Sequence, residues 1–249
     1  MPFTFAHPAL VLPLKKWENK LSLTGLIIGS LSPDFEFLFQ MHVAKNIGHH
    51  GFGVFIFDLP VSIFLSFLFH YLLKKPLIEN LSIGLNSRFE ELYHSNWLLY
   101  FKENWNWVIY SIFLGIYSHL FLDAFTHEDG VFVLVFPLLS LHIGIGEIKM
   151  PIYLFLQIFS SVLGLYLLYG STLKLESRNG IKKDRMEKII YWTLWLAISL
   201  YILLVRLLLW PQYHSFWDNF IALIGSGIYG ILATCLIWNF QIIIKWQEE

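Results

Sequence analysis

The run Gly115-Ile-Tyr-Ser-His119-Leu-Phe-Leu-Asp123-Ala-Phe-Thr126-His127-Glu128 carries His119, Asp123 and His127 at four-residue intervals, at the end of a long apolar stretch. On an α-helix each four-residue step turns by ~400°, so the three side chains share one stripe and rise ~6 Å per step. Imidazole nitrogen and carboxylate oxygen are ligands for a zinc-class divalent ion, and one helix face can hold one or two such ions. The plainer alternative is a polar patch hydrogen-bonded to neighbouring helices. Placing this much polarity in an apolar helix is costly without a partner, which favours ligation.

What must position these residues is a bundle of apolar helices. The chain has 249 residues, 56% hydrophobic and only 14% charged, with mean hydropathy +0.59. A soluble domain carries roughly 25% charged residues, so the composition is that of an integral membrane protein. Ten tryptophans suit interfacial belts. A formal charge of -1 argues against a nucleic-acid partner. The single cysteine, Cys235, lies in an apolar run and offers neither a disulfide nor a CxxC site. The N-terminus lacks a basic region before its apolar stretch, so no cleaved signal peptide is expected.

Six stretches approach the ~20 residues needed to cross a bilayer: 21–41, 54–73, 105–126, 151–173, 189–210 and 219–244. Residues 3–14 are apolar but too short, and read as a half-helix ending at Lys15 and Lys16. Basic residues crowd the connections on one side: Lys15, Lys16 and Lys20, then Lys74, Lys75, Arg88 and Lys102, then Lys174 to Lys188, then Lys245. The alternate connections hold only Lys45 and Lys149. The bias places the Lys-rich ends and the C-terminus in the cytoplasm. Counting 1.5 Å per residue up from those ends brings His7, Asp34 and His119 to a common level in the outer half of the membrane.

Other residues join the list with competing readings. Pro33 kinks the first span and helps aim Asp34 inward, as a ligand or base or as a structural carboxylate. Glu36 points away from Asp34 on a helix. The loop Gly48-His49-His50-Gly51 delivers one histidine to the same end, with His49 preferred, unless both are solvated. Asp58 can orient a ligand histidine or cap a helix. Glu128 or Asp129 can act as base near the water, and His142 with Glu147 forms a weaker pair. Gln157 and Arg206 lie near the site's depth. Arg206 either snorkels to headgroups or binds a substrate phosphate. His70 falls at the opposite end, and residues 85–100 read as an interfacial amphipathic helix.

Four motifs in order resemble an uncharacterised bacterial membrane-protein family, domain of unknown function 4184. They are the opening Phe3-Thr-Phe-Ala-His7-Pro8, Ser32-Pro33-Asp34-Phe-Glu36, His49 with Phe57-Asp58-Leu-Pro60, and Ser118-His119 through His127-Glu128. The resemblance covers roughly residues 1–170. That family is distantly similar to membrane-bound metal-dependent hydrolases and to the all-helical zinc-dependent phospholipases C, which use a three-zinc site. The resemblance implies His7, Asp34, His49, His119, Asp123 and His127 as ligands of one to three divalent ions, zinc first. The spacing from Asp123 to His127 is shorter than in the soluble enzymes, and His142 and Glu147 do not reproduce their final motif.

The expected fold is therefore an all-α membrane bundle of about six transmembrane helices plus an N-terminal half-helix. It is read as a single membrane domain over 1–249, with a metal-site half at 1–150 and a helical scaffold half at 151–249. The expected function is hydrolysis of a phosphoester on a lipid or lipid-linked substrate, at the outer face of a bacterial cytoplasmic membrane. Its expected catalytic groups are Asp34, Asp58 and Glu128, with Arg206 on the substrate. The rival readings use the same His and Asp residues as an ion or proton pathway, or as a metal staple between helices. The sequence sets no oligomeric state.

Overall fold

The computed structural model describes residues 3–17, 19–43, 47–145 and 148–248, without the side chains of 145, 148 and 241–248. Lys45 and Glu147, and the side chain of Lys245, lie outside the described residues. The chain is mostly helical and forms two compact units that interleave along the sequence: Met1–Asp34, Ile47–Ile63 and Tyr100–Lys174 in the first, Phe35–Asn46, Phe64–Leu99 and Leu175–Glu249 in the second.

In the first unit the N-terminal segment winds as short turns, Thr4–Ala6, Pro8–Val11 and Leu12–Trp17. Pro8 opens the middle piece, where its missing N–H costs nothing. Ser22 caps the next helix, Leu23–Leu31, by accepting from the Gly25 amide. This helix lies backbone-to-backbone against Trp97–Thr126. A methyl added to Gly29 would strike the Ile112 backbone, and one added to Gly115 would strike Leu26 O and Ser30 N. Gly25 and Gly29, spaced as small-xxx-small, meet Ser111 and Gly115 on the partner. Ser111 Oγ also accepts from the Ser22 amide at 2.8 Å. Ser111, Gly115, His119, Asp123 and His127 form one continuous i, i+4 stripe, so the contact that closes the helix pair also aims the His and Asp side chains. Helix Ile152–Leu173, expected as scaffold, packs on the N-terminal segment through Gly164 against Ala6 and Ser161 Oγ beneath the Phe3 amide.

The second unit is built on the pair Arg185–Leu209 and Phe216–Glu248. Tyr191 and Cys235 hydrogen-bond inside it at 3.2 Å, and Trp195 Nε1 donates to Gly227 O. Arg206, expected at headgroups or on a phosphate, is instead 2% exposed. Its Nε and Nη2 donate to Met41 O, and its Nη1 to Tyr213 O. Met41 takes a left-handed φ of 57° at the end of helix Phe35–Gln40, and the guanidinium holds the carbonyl which that turn exposes. Arg206→Met should therefore destabilise the protein by about 3 kcal/mol, because several charge-assisted bonds vanish and two buried carbonyls lose their donors. A melt should register that loss while metal content stays at the wild-type level.

Several expectations change. Five helices, rather than six, are long and apolar enough among the described residues to cross a membrane: Val54–Asn80, Trp97–Val135, Ile152–Leu173, Arg185–Leu209 and Phe216–Phe240. The stretch 21–41 breaks into Leu23–Leu31, a 3-10 turn at Ser32–Asp34, and Phe35–Gln40. Pro33 removes a helical donor there and tightens the turn. The connection at 131–150 is not plain loop. It holds a helix, Val131–Val135, and a short antiparallel pairing of His142–Ile145 with Ile148–Pro151, a small addition to a chain that is otherwise helical as expected. The amphipathic stretch is also split, into Ile83–Asn86, Glu90–His94 and the start of Trp97–Thr126.

Candidate metal centre

The members of the cluster arrive from four places in the first unit. His7 sits between the Thr4–Ala6 and Pro8–Val11 turns, Asp34 ends the Pro33 turn, His49 rides the loop before Val54, and His119 and Asp123 come from the Ser111 stripe. His49 Nε2 lies 3.6 Å from Asp34 Oδ1 and 3.1 Å from Asp123 Oδ2. His119 Nε2 lies 3.6 Å from Asp34 Oδ1 and 3.3 Å from Asp123 Oδ2. On the other side of the Asp123 carboxylate, Oδ1 stands 3.8 Å from His7 Nε2 and 3.6 Å from His127 Nδ1. Two overlapping triads satisfy the spacing of ligand atoms around an ion: His7, His119 and Asp123, and Asp34, His49 and His119.

One facing pair is hydrogen-bonded, His49 Nε2 to Asp123 Oδ2 at 3.1 Å, while several other facing atoms are left without a partner. His119 Nδ1 lies 2.8 Å from the Ser30 carbonyl. A carbonyl only accepts, so Nδ1 carries a proton, and Nε2 faces two carboxylates either as the lone pair of a neutral ring or as the second N–H of an imidazolium. Asp34 is turned in the same sense. Its Oδ2 accepts from Thr4 Oγ1 at 2.7 Å, leaving Oδ1 on the histidine side. His119 Nε2, Asp34 Oδ1, Asp123 Oδ1 and both ring nitrogens of His7 are buried with no hydrogen-bond partner among the described residues. Two carboxylates buried among imidazoles call for positive charge between them, which a bound cation supplies and ring protons supply in its place.

The distances also fit an ion. Atoms bound at ~2.0–2.2 Å around a tetrahedral metal lie ~3.3–3.6 Å apart, and three of the four separations within the Asp34, His49, His119 and Asp123 group are 3.3 or 3.6 Å. The His7 ring stacks on His119 at 3.7 Å between centroids and 14° between planes, which fixes both rings. The residues present therefore fit a divalent cation. Thr4 and the Ser30 carbonyl are the outer partners that orient its ligands. Thr4→Val keeps the shape and removes the hydroxyl, and should weaken metal binding about tenfold in a competition titration against a chelating dye.

The remaining candidates separate. His127 is near the cluster, but its Nδ1 lies 3.1 Å from the Asp123 backbone carbonyl and so donates there, and His127 belongs to neither triad. His49 rather than His50 enters the cluster, since His50 is exposed. Asp58 is fully buried against the loop that carries His49, where a methyl on Gly48 would lie 2.7 Å from Asp58 Oδ1. Glu128 and Asp129 are exposed just past the helix. Glu36 is buried and accepts from Gln40 Nε2 at 3.4 Å. Gln157 is buried, and His142 is exposed on the hairpin.

The profile of a family described as a domain of unknown function (DUF4184) matches residues 1–238. The chain belongs to that family. The match takes in every element contributing to the cluster and runs past the roughly 1–170 that the motifs themselves cover. Among curated proteins and among solved structures, none matches it significantly. The chemistry of this DUF4184 protein therefore has to be reasoned from its own residues. Thr4 and the glycine pairing are the positioning features that the spacing of His and Asp does not reveal. Gly25-xxx-Gly29 was the available signal for the second.

Proposed function

We propose that the chain is a membrane-embedded, metal-dependent hydrolase acting on a phosphoester of a lipid or lipid-linked substrate. One observation carries the reading: the Asp123 carboxylate stands between His49 and His119 on one oxygen and His7 and His127 on the other, with Asp34 closing the first group. His7, Asp34, His49, His119 and Asp123 would hold a divalent ion, zinc by donor type, with His127 joining after a ring rotation. When bound, such an ion supplies Lewis acidity toward water and a phosphoryl oxygen.

The protein's own groups do the rest. Ser30 O keeps the proton on His119 Nδ1, and Thr4 keeps Asp34 Oδ1 turned toward the cluster. Burial divides the site into a closed wall and an open edge: the side chains of His7, Asp34 and His119 are 1% exposed or less, against 20% for His49 and 24% for His127. Substrate enters at that edge. Glu128, one residue beyond His127 and exposed, is the group proposed to take a proton from attacking water. A staple between helices would close its whole shell, so the open edge supports an enzyme over a staple.

In this reading the protein sits in a bacterial cytoplasmic membrane, with the lipid bilayer around the apolar helices, the Lys-rich ends and C-terminus in the cytoplasm, and the centre in the outer half. The Lys and Arg bias supports that orientation. Release of inorganic phosphate from a phosphorylated lipid in mixed micelles tests the activity. It should stop with chelator, return with Zn²⁺, and be lost in Asp34→Asn. Glu128→Gln should slow turnover while keeping the metal. Metal retention without cleavage of any phospholipid or lipid-linked phosphate would instead favour the staple or the ion pathway.

A further inference from the structure

The second unit contains a cavity of about 400 Å³ lined by residues including His70, Lys74, Lys75, Tyr93, Asn96 and Trp97. Its volume is in the range of small-ligand sites. A π-type turn, Phe69–Leu73, runs into Lys74–Asn80 and forms one wall. The start of Trp97–Thr126 forms another, where the His70 ring lies flat on Trp97 at 4.5 Å and 4°. Such π-turns widen a helix locally and recur at functional sites.

The charge in this cavity is one-sided. Lys74 is 2% exposed. Its Nζ donates to Ser95 O at 2.6 Å and Ser95 Oγ at 3.1 Å, which uses two of its three donors. Lys75 Nζ is exposed and lies 5.7 Å from the Tyr93 ring centroid. The lining holds two lysines and two histidines and no acidic residue, and neither lysine has a carboxylate within ion-pair distance among the described residues. Glu79 accepts from Tyr93 Oη at 2.8 Å, but Lys183 Nζ already matches its charge at 2.7 Å. A buried ammonium without a counter-charge is costly, and an anion in the cavity would offset that cost.

We infer that this cavity binds a phosphate group, carried by an anionic lipid headgroup or free in solution. Two ammonium groups suit a compact, multiply charged anion, and lysine serves phosphate as a point charge. The inference is independent of the metal reading, since it shares no residue with that centre.

The test uses full-length protein in neutral detergent. One arm measures radiolabelled inorganic phosphate by equilibrium dialysis. The other counts bound lipid by native mass spectrometry after titration with phosphatidylglycerol or phosphatidylcholine. The expected result is retention of phosphate, or preference for phosphatidylglycerol over phosphatidylcholine, weakened about tenfold by Lys75→Glu and by Lys74→Gln. A positive phosphate arm identifies the free anion as ligand, and a positive lipid arm alone identifies the headgroup. Lys75 is exposed, so its substitution leaves the fold intact even if Lys74→Gln does not fold. Wild-type protein that takes up neither probe, or a folded Lys75→Glu protein that binds both as wild type does, would overturn the inference.

Discussion

Replacing Asp123 by asparagine is expected to leave the protein unable to retain a divalent ion, with affinity reduced at least about 100-fold. Among the described residues Asp123 pairs with four histidines at ion-pair distance. Oδ2 stands 3.1 Å from His49 Nε2 and 3.3 Å from His119 Nε2, while Oδ1 faces His7 at 3.8 Å and His127 at 3.6 Å. The amide keeps the volume but replaces one anionic oxygen by an N–H donor. Either way it flips, one side of the cluster loses its acceptor. His7 and His119 also lose a counter-charge in a buried place, so metal-free protein should be destabilised by about 3 kcal/mol. A metal-competition titration and a melt in chelator check the two parts separately.

The second large effect lies a helical turn below the ligands. Gly115→Ala puts a methyl into Leu26 O and Ser30 N, which are backbone atoms that no rotamer change can move aside. The two helices must separate. The Ser30 carbonyl then withdraws from His119 Nδ1, which it now accepts from at 2.8 Å. We expect a loss of about 1–3 kcal/mol in stability from overpacking and a fall of about 10–100-fold in metal affinity from the lost outer partner. Gly170→Ala is the control. Nothing lies within 4 Å of a methyl there, and it sits in helix Ile152–Leu173. Helix propensity makes that change neutral or stabilising by up to ~1 kcal/mol. Equal damage from both glycines would show that packing at Gly115 does not position the site.

The centre was legible where its chemistry lives in side-chain type and spacing. The four-residue rhythm of His119, Asp123 and His127 announces a stripe, and counting from the lysines gives His7 and Asp34 as companions. What spacing cannot show is where backbone carbonyls point. Ser30 O decides the tautomer of His119, and the Asp123 carbonyl turns His127 aside, yet neither leaves a mark in residue identity. Arg206 was unreadable for the same reason, because its acceptors are Met41 O and Tyr213 O. The cluster of apolar residues at 21–41 suggested one span, but Pro33 converts three residues to a tighter turn, and that turn is what delivers Asp34. The 142–151 hairpin was missed because its strands are only four residues each, too short for alternation to register.

The two overlapping triads around His119 and Asp123 are spaced to hold a cation. Elemental analysis of protein purified in neutral detergent without added metal, run beside Asp123→Asn, tests for it most directly. The wild type should carry at least one zinc-class ion per chain, removed by chelator and missing from the variant. Wild-type protein that is folded, carries no divalent metal and takes none up from micromolar Zn²⁺ would contradict it.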